Sequence, residues 1–262
     1  MTHTQSKQSI SIAITGKGGV GKTTVAAALV ARLISKGHTP VLAVDADPNT
    51  CLDETLGVKA QKSVGGVREE AKIIAGKGGL GQGISKQELL ELKIAESLVE
   101  ADDFDLIAMG RPEGPGCYCY ANNVLKQTLD QIANSYPYLV IDNEAGLENL
   151  SRRIVREVDL MIMVADPSKR GLDTVRRLFG LAREMEVKYK HLAVVVNRLR
   201  SDVVLEEAGV LEKELAADLC LTIRENEELE NIAVCGGNLF ELSSSNDIFQ
   251  TIDSLIELAG VK

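Results

Sequence analysis

The stretch Ile10-Ser11-Ile12-Ala13-Ile14-Thr15-Gly16-Lys17-Gly18-Gly19-Val20-Gly21-Lys22-Thr23-Thr24-Val25 decides how the rest of the chain reads. An apolar run ends at Thr15, a glycine-rich segment follows, and from Val25 to Leu33 the apolar positions recur at helical spacing. Strand, loop and helix therefore follow one another. Glycines let consecutive backbone N–H groups turn toward one anion, and the helix adds the positive end of its dipole. Gly16-x-x-x-x-Gly21-Lys22-Thr23 has the spacing of a phosphate-binding loop. In that reading Gly18, Gly19, Val20, Gly21 and Thr24 line the phosphates, Lys22 sets a point charge on the outer ones, and the Thr23 hydroxyl meets magnesium. Gly16, Gly18 and Gly21 also spell the G-x-G-x-x-G of dinucleotide sites, with Asp45 where a ribose-binding acid would stand. Lys22-Thr23 favours a nucleoside triphosphate, because a dinucleotide needs neither a lysine nor a hydroxyl aimed at a phosphate–metal pair.

Lys17 is a second lysine inside the loop, and one bound nucleotide does not require it. The run Lys17-Gly18-Gly19-Val20-Gly21-Lys22-Thr23-Thr24 resembles the deviant Walker A loop of the family that includes MinD, ParA, the arsenite-pump ATPase and nitrogenase iron protein. The resemblance implies that Lys17 reaches the nucleotide of a partner subunit, so that a homodimer closes on ATP and hydrolyses it to ADP and phosphate.

Downstream, the apolar Val41 to Val44 ends in Asp45-Ala46-Asp47-Pro48. This resembles the family's first switch, where Asp47 would match the residue that activates the attacking water and Asp45 would stand in the magnesium shell. Tyr138 to Ile141 ends in Asp142-Asn143-Glu144-Ala145-Gly146, which fits the Walker B and second-switch region. Asp142 would hold magnesium through water, and the Gly146 N–H would sense the third phosphate. Leu192 to Val196 ends in Asn197, which resembles the family's adenine-contacting residue. Further strands are read at Phe104 to Met109, Leu160 to Val164 and Leu219 to Ile223. Helices are read at about 121–135, 147–157, 172–186, 225–234 and 247–258. This alternation predicts one α/β domain over residues 1–262, a mostly parallel sheet with helices on both faces. Residues 1–8 read as a loose polar tail and 58–103 as an insertion after the second strand, a lid or a contact surface.

The totals narrow the function further. A formal charge of −9 argues against a nucleic-acid surface, which needs clustered Lys and Arg. The longest apolar runs have the length of core strands, far short of the ~20 residues of a membrane span. With no basic start leading into an apolar segment, a cytoplasmic protein with reduced thiols is expected. His3, His38 and His191 show no metal spacing, and Cys51, Cys220 and Cys235 read as structural.

Cys117 and Cys119 are different. In an extended loop, residues i and i+2 point to the same side, so two thiolates can bite one soft ion. Two ligands leave nickel or zinc short of the usual four, and two chains would supply four. A pair of inert or redox thiols is the other reading. The Gly110 to Cys117 stretch resembles the cluster loop of nitrogenase iron protein, yet Asp142 to Gly146 lacks the second cluster cysteine of that design. The arrangement resembles the CooC-type maturation ATPases of carbon monoxide dehydrogenase, including the related accessory ATPase of acetyl-CoA synthase. The resemblance implies an ATP-driven dimer that assists nickel insertion into such a client enzyme. Two rivals stand beside it. One is a MinD/ParA-type positioning ATPase, whose membrane-binding members carry a basic amphipathic tail where this chain has Asp253 and Glu257. The other is an iron–sulfur electron-donor ATPase of the nitrogenase-reductase kind.

Overall fold

The computed structural model describes residues 9–49, 51–67, 94–110, 132–146, 157–200 and 205–261, with the isolated positions 70, 88, 92, 126 and 129. The glycine-rich loop leaves the end of β1 (Ile10–Gly16), an inner strand of an eight-stranded sheet. The other strands are β2 (Val41–Ala46), β3 (Val99–Glu100), β4 (Phe104–Ala108), β5 (Tyr138–Asn143), β6 (Glu157–Ala165), β7 (Lys188–Leu199) and β8 (Leu219–Arg224). Their spatial order is β3-β4-β2-β5-β1-β6-β7-β8. Every neighbouring pair is parallel except β3 with β4, where a two-residue edge strand runs back.

Period-two alternation sorts the apolar side chains onto two covered faces. Ala13, Val44, Ile141, Met161, Met163 and Val194 face one layer, while Ile12, Ile14, Ala43, Val140, Ile162 and Val195 face the other. The first layer holds α3 (Lys169–Glu184) and α4 (Leu205–Leu215). Ser168 starts α3 by accepting the Gly171 N–H at 3.0 Å, and Leu172, Val175, Leu178 and Ala182 form the stripe it buries. The second layer holds α1 (Lys22–Ser35) and α6 (Ile248–Leu258), with α2 (Leu52–Thr55) and α5 (Glu227–Cys235) beside them. Ala26, Ala27, Ala28, Leu29 and Val30 are fully buried, because α1 lies between the sheet and α6 and exposes little of its middle. Small residues permit that close packing, and trimming Leu29 to Ala would cost about 2–5 kcal/mol.

The layered, mostly parallel architecture agrees with the expectation from sequence, and the differences are local. β6 begins at Glu157, where a helix was expected to end; the rest of that expected helix, 147–156, lies outside the described residues. Strand β3 and helix α4 were not foreseen. Parts of the 58–103 segment belong to the core: Val64, Val67 and Ile94 are buried against the first layer, and the Gly65 N–H donates to Met109 O at 2.9 Å. Cys51 and Cys235, read as structural, are exposed. Cys220 is half-buried, and burial pushes its thiol up to about 11. Among the described residues no helix is long and apolar enough to cross a membrane.

Parallel pairing has one consequence for chemistry. It brings the C-terminal ends of β1, β2, β5 and β7 to a single edge, and β1 lies where the chain departs to either side, which is where open α/β sheets bind ligands.

Candidate functional site

The loop from Gly16 to Gly21 rises from β1 at that edge and runs directly into α1. The N-cap position of α1 is Gly21, at φ 96°, and no side chain caps the helix. That left-handed conformation favours glycine, and a Cβ there would also collide with the Asn197 amide. The first N–H groups of α1 are left without a side-chain acceptor, the arrangement that receives a phosphate. Lys22 is buried, and its Nζ lies 3.3 Å from the Lys17 carbonyl, so its charge is held over the loop. Lys17 itself is exposed, as are Gly18 and Gly19. Its charge reaches Asp166 at the end of β6. Desolvation works against ionisation of Asp166, but hydrogen bonds from Ser168 together with Lys17 hold its carboxyl below the ordinary range.

Two strands bring the acids. Asp45 and Asp142 are register partners on β2 and β5. The Thr23 hydroxyl donates to Asp142 Oδ2 at 2.6 Å, while Asp142 Oδ1 is buried with no partner among the described residues. Burial, and next the facing Asp45, push the Asp142 carboxyl up to about 7, against the pull of the Thr23 hydrogen bond and of Lys22. Asp45 is fully buried and pushed up to about 6, again by burial first. Its oxygens accept the backbone N–H groups of Asp47, Cys51 and Leu52, which pins the turn that follows β2. Asp47 is half-buried in that turn and accepts two hydrogen bonds from Asn49.

Gly146 packs against the root of the loop. Its N–H donates to Gly16 O at 3.1 Å, and its carbonyl accepts the Thr15 hydroxyl at 2.5 Å. Asn197 and Arg198, at the end of β7, both touch the loop. Asn197 Nδ2 donates to Val20 O at 2.9 Å and Arg198 Nη1 to Gly19 O at 3.1 Å. A cavity of about 700 Å³ opens beside Thr24, walled by α2, the segment 57–60 and α5.

The residues singled out in the loop, in both switches and at the end of β7 are thus gathered at one edge of the sheet. Cys117 and Cys119 lie outside the described residues. Among the described residues no group of three or more His, Cys, Asp or Glu side chains forms a metal cluster. Thr15 and Arg198 were not singled out as functional. Thr15 reads as the last residue of a strand, and Arg198 owes its contact to a strand irregularity that has no sequence signature.

Residues 7–194, more than half of the chain, match the AAA domain family. An uncharacterized ATP-binding protein of Methanocaldococcus jannaschii is 43% identical, over 94% of this chain and 96% of its own. The carbon monoxide dehydrogenase accessory protein CooC of Rhodospirillum rubrum is 28% identical, over 88% of this chain and 90% of its own. Among solved structures, apo McdA of Cyanothece shares the fold with a TM-score of 0.70 at 19% identity, covering 96% of this chain and 99% of that one. On this loop, this sheet and these matches, the chain belongs to the AAA domain family as a MinD/ParA-like P-loop ATPase with a deviant Walker A loop.

Proposed function

We propose that the chain is a magnesium-dependent ATPase that works as a homodimer, and that paired Cys117 and Cys119 carry nickel or zinc toward a client nickel enzyme, carbon monoxide dehydrogenase or acetyl-CoA synthase. The observation that carries the ATPase reading is the junction of Thr23 with Asp142. It sets a loop hydroxyl 2.6 Å from one carboxylate oxygen and leaves the other oxygen buried and unpartnered. A buried carboxylate in that state is unfavourable unless a cation is meant to join it. The donor set is all oxygen, which fits magnesium. Thr23 and Asp142 would hold the ion, with Asp45 behind them, and the ion neutralises charge on the outer phosphates when bound.

The chain's own groups do the rest. The N–H groups of Gly18 to Thr24 bind the phosphates, and Lys22 offsets their charge. Lys17, exposed at the rim, crosses to the nucleotide of the partner and stabilises charge that develops during transfer. Asp47 orients the attacking water. The Gly146 N–H exchanges Gly16 O for the third phosphate, so the second switch differs between ATP and ADP states. Closure of the dimer brings two Cys117/Cys119 pairs together as a four-thiolate site for the metal cargo, and its likeness to the carbon monoxide dehydrogenase accessory protein supports that client class.

Two experiments test the two halves. Light scattering with ATP and with ADP, on wild type and Lys17→Ala, should show an ATP-dependent dimer in wild type alone. Metal analysis of a Cys117→Ser/Cys119→Ser protein should show loss of one bound ion per dimer with ATPase activity kept. A Lys17→Ala protein that still dimerises on ATP would remove the crossing lysine, and metal retained by the serine protein would remove the cysteine site.

A further inference from the structure

Asn197 and Arg198 are consecutive residues of one strand, and consecutive side chains of a regular strand point to opposite faces. Here both reach the same loop. The register between β7 and β8 shows how: Val196 pairs with Thr222, but Leu199 pairs with Arg224, so β7 carries one more residue than its partner over that step. The extra residue is a β-bulge, a device that re-aims side chains next to sites. Arg198 sits in it at φ 60°, a left-handed conformation that non-glycine residues seldom hold. Asn197 Oδ1 accepts the Arg198 N–H at 2.9 Å and steadies the bulge.

The carbonyls they hold are neighbours. Asn197 takes Val20 O and Arg198 takes Gly19 O. In a trans peptide the N–H of the next residue points away from the carbonyl. A fixed Gly19 carbonyl therefore fixes the Val20 N–H, and a fixed Val20 carbonyl fixes the Gly21 N–H, each directed to the opposite side. These are donors of the phosphate cradle. Asn197 thereby links the two, with its amide N–H on the loop and its amide oxygen on the Arg198 N–H.

From this we infer that Asn197 and Arg198 act together as positioning residues that hold two peptide planes of the phosphate loop with their N–H groups toward the triphosphate. The inference rests on the nucleotide-binding reading of the loop and adds a role for the end of β7.

The test is competition binding without magnesium, against a fluorescent ATP analogue, with ATP, GTP and inorganic tripolyphosphate as competitors. Arg198→Gly, Arg198→Lys, Asn197→Ala and wild type are compared, and each fold is checked by thermal melting. Loss of one hydrogen bond corresponds to about a 3- to 10-fold weakening; Arg198→Gly should show it by the same factor for all three competitors, and Asn197→Ala should show it for tripolyphosphate. Arg198→Lys, which keeps one donor, should recover part of the loss. Arg198→Gly should melt no lower than wild type, because glycine accepts the left-handed backbone without strain, so stability and phosphate affinity part company as a merely structural residue would not allow. A changed ATP-to-GTP preference in Asn197→Ala, with tripolyphosphate binding as in wild type, would make Asn197 a base reader and overturn the inference. Wild-type affinity in Arg198→Gly would overturn it as well. A wild-type chain that binds neither ATP nor tripolyphosphate would instead sink the ATPase reading, and this inference with it.

Discussion

Two groups of acids in this molecule are treated in opposite ways. At the ligand edge, Asp45 and Asp142 face each other across adjacent strands, are buried, and are pushed up to about 6 and about 7. On the outer side of α1, Asp253 of α6 is bracketed by Arg32 at 2.7 Å and Lys36 at 2.9 Å. The Arg32 hydrogen bonds, against a smaller desolvation, hold Asp253 down at about 2. Arg32 also lies over the Phe249 ring, 5.2 Å from its centroid. One region uses its carboxylate to fasten two helices. The other keeps like charges together in a dry place, which lowers the stability of the ligand-free fold and makes a ligand cation welcome. The difference marks function more sharply than burial alone does.

The largest expected effect follows from removing a charge at the ligand edge. Asp142→Asn keeps the shape and a partner for Thr23, but takes away the negative charge that would hold magnesium. Turnover should fall about 100-fold or more, the scale of losing charge stabilisation at a transferring phosphoryl group. The same protein should melt higher than wild type at pH 8 without ligand, since a buried unpaired charge is gone. A lower melting temperature would mean that the acid contributes to the fold, as Asp253 does, and would erase the difference between the two regions.

The two regions should also answer pH with opposite signs. Asp45 and Asp142 bind protons more tightly folded than unfolded, where a carboxyl titrates near ~4. Their contribution is therefore fully present below pH ~4 and is lost as pH rises through about 6 and about 7. Melting of the ligand-free protein from pH 5 to 8 should show a decline that Asp142→Asn flattens. Asp253 is the reverse: its contribution stands above pH ~4 and is lost as pH falls through about 2. Asp253→Asn should then destabilise by only about 1 kcal/mol at pH 7, allowing for the solvent that the pair still touches, with ATPase activity unchanged. Chemical denaturation at pH 7 reads the first, and steady-state turnover the second.

The sequence was most legible where the chemistry is written in consecutive residues. Gly16 to Thr24 needs no tertiary information, because the spacing of its glycines, lysine and hydroxyls is the structure of the cradle. Asp45 and Asp142 were legible for a related reason: each closes an apolar strand, and parallel pairing puts strand ends together. Arg198 was not legible. Its contact exists because β7 gains a residue against β8, and the register between two strands is set by packing. The burial of Val64, Val67 and Ile94 was hidden in the same way, since their segment lacks the repeated strand–helix rhythm that revealed the rest. Cys51, beside the first switch, reads as structural from sequence, but the turn pinned by Asp45 leaves it exposed.

The smallest effect bears on how the ligand edge changes state. Thr15 is fully buried, and its hydroxyl holds the Gly146 carbonyl while the Gly146 N–H holds Gly16 O. Together these bonds park the second switch on β1, with Gly146 at φ 97°. If that N–H must leave Gly16 O to meet the third phosphate, loosening the park should favour ATP. Thr15→Val keeps the volume and removes the hydrogen bond, a change of about 1 kcal/mol that corresponds to roughly fivefold tighter ATP binding at most. ADP has no third phosphate and should bind as before, so calorimetric titration of both nucleotides separates the cases. An equal shift for ATP and ADP would show that Thr15 shapes the loop as a whole, and would place it with the stabilising contacts of Asp253 instead of the switching ones.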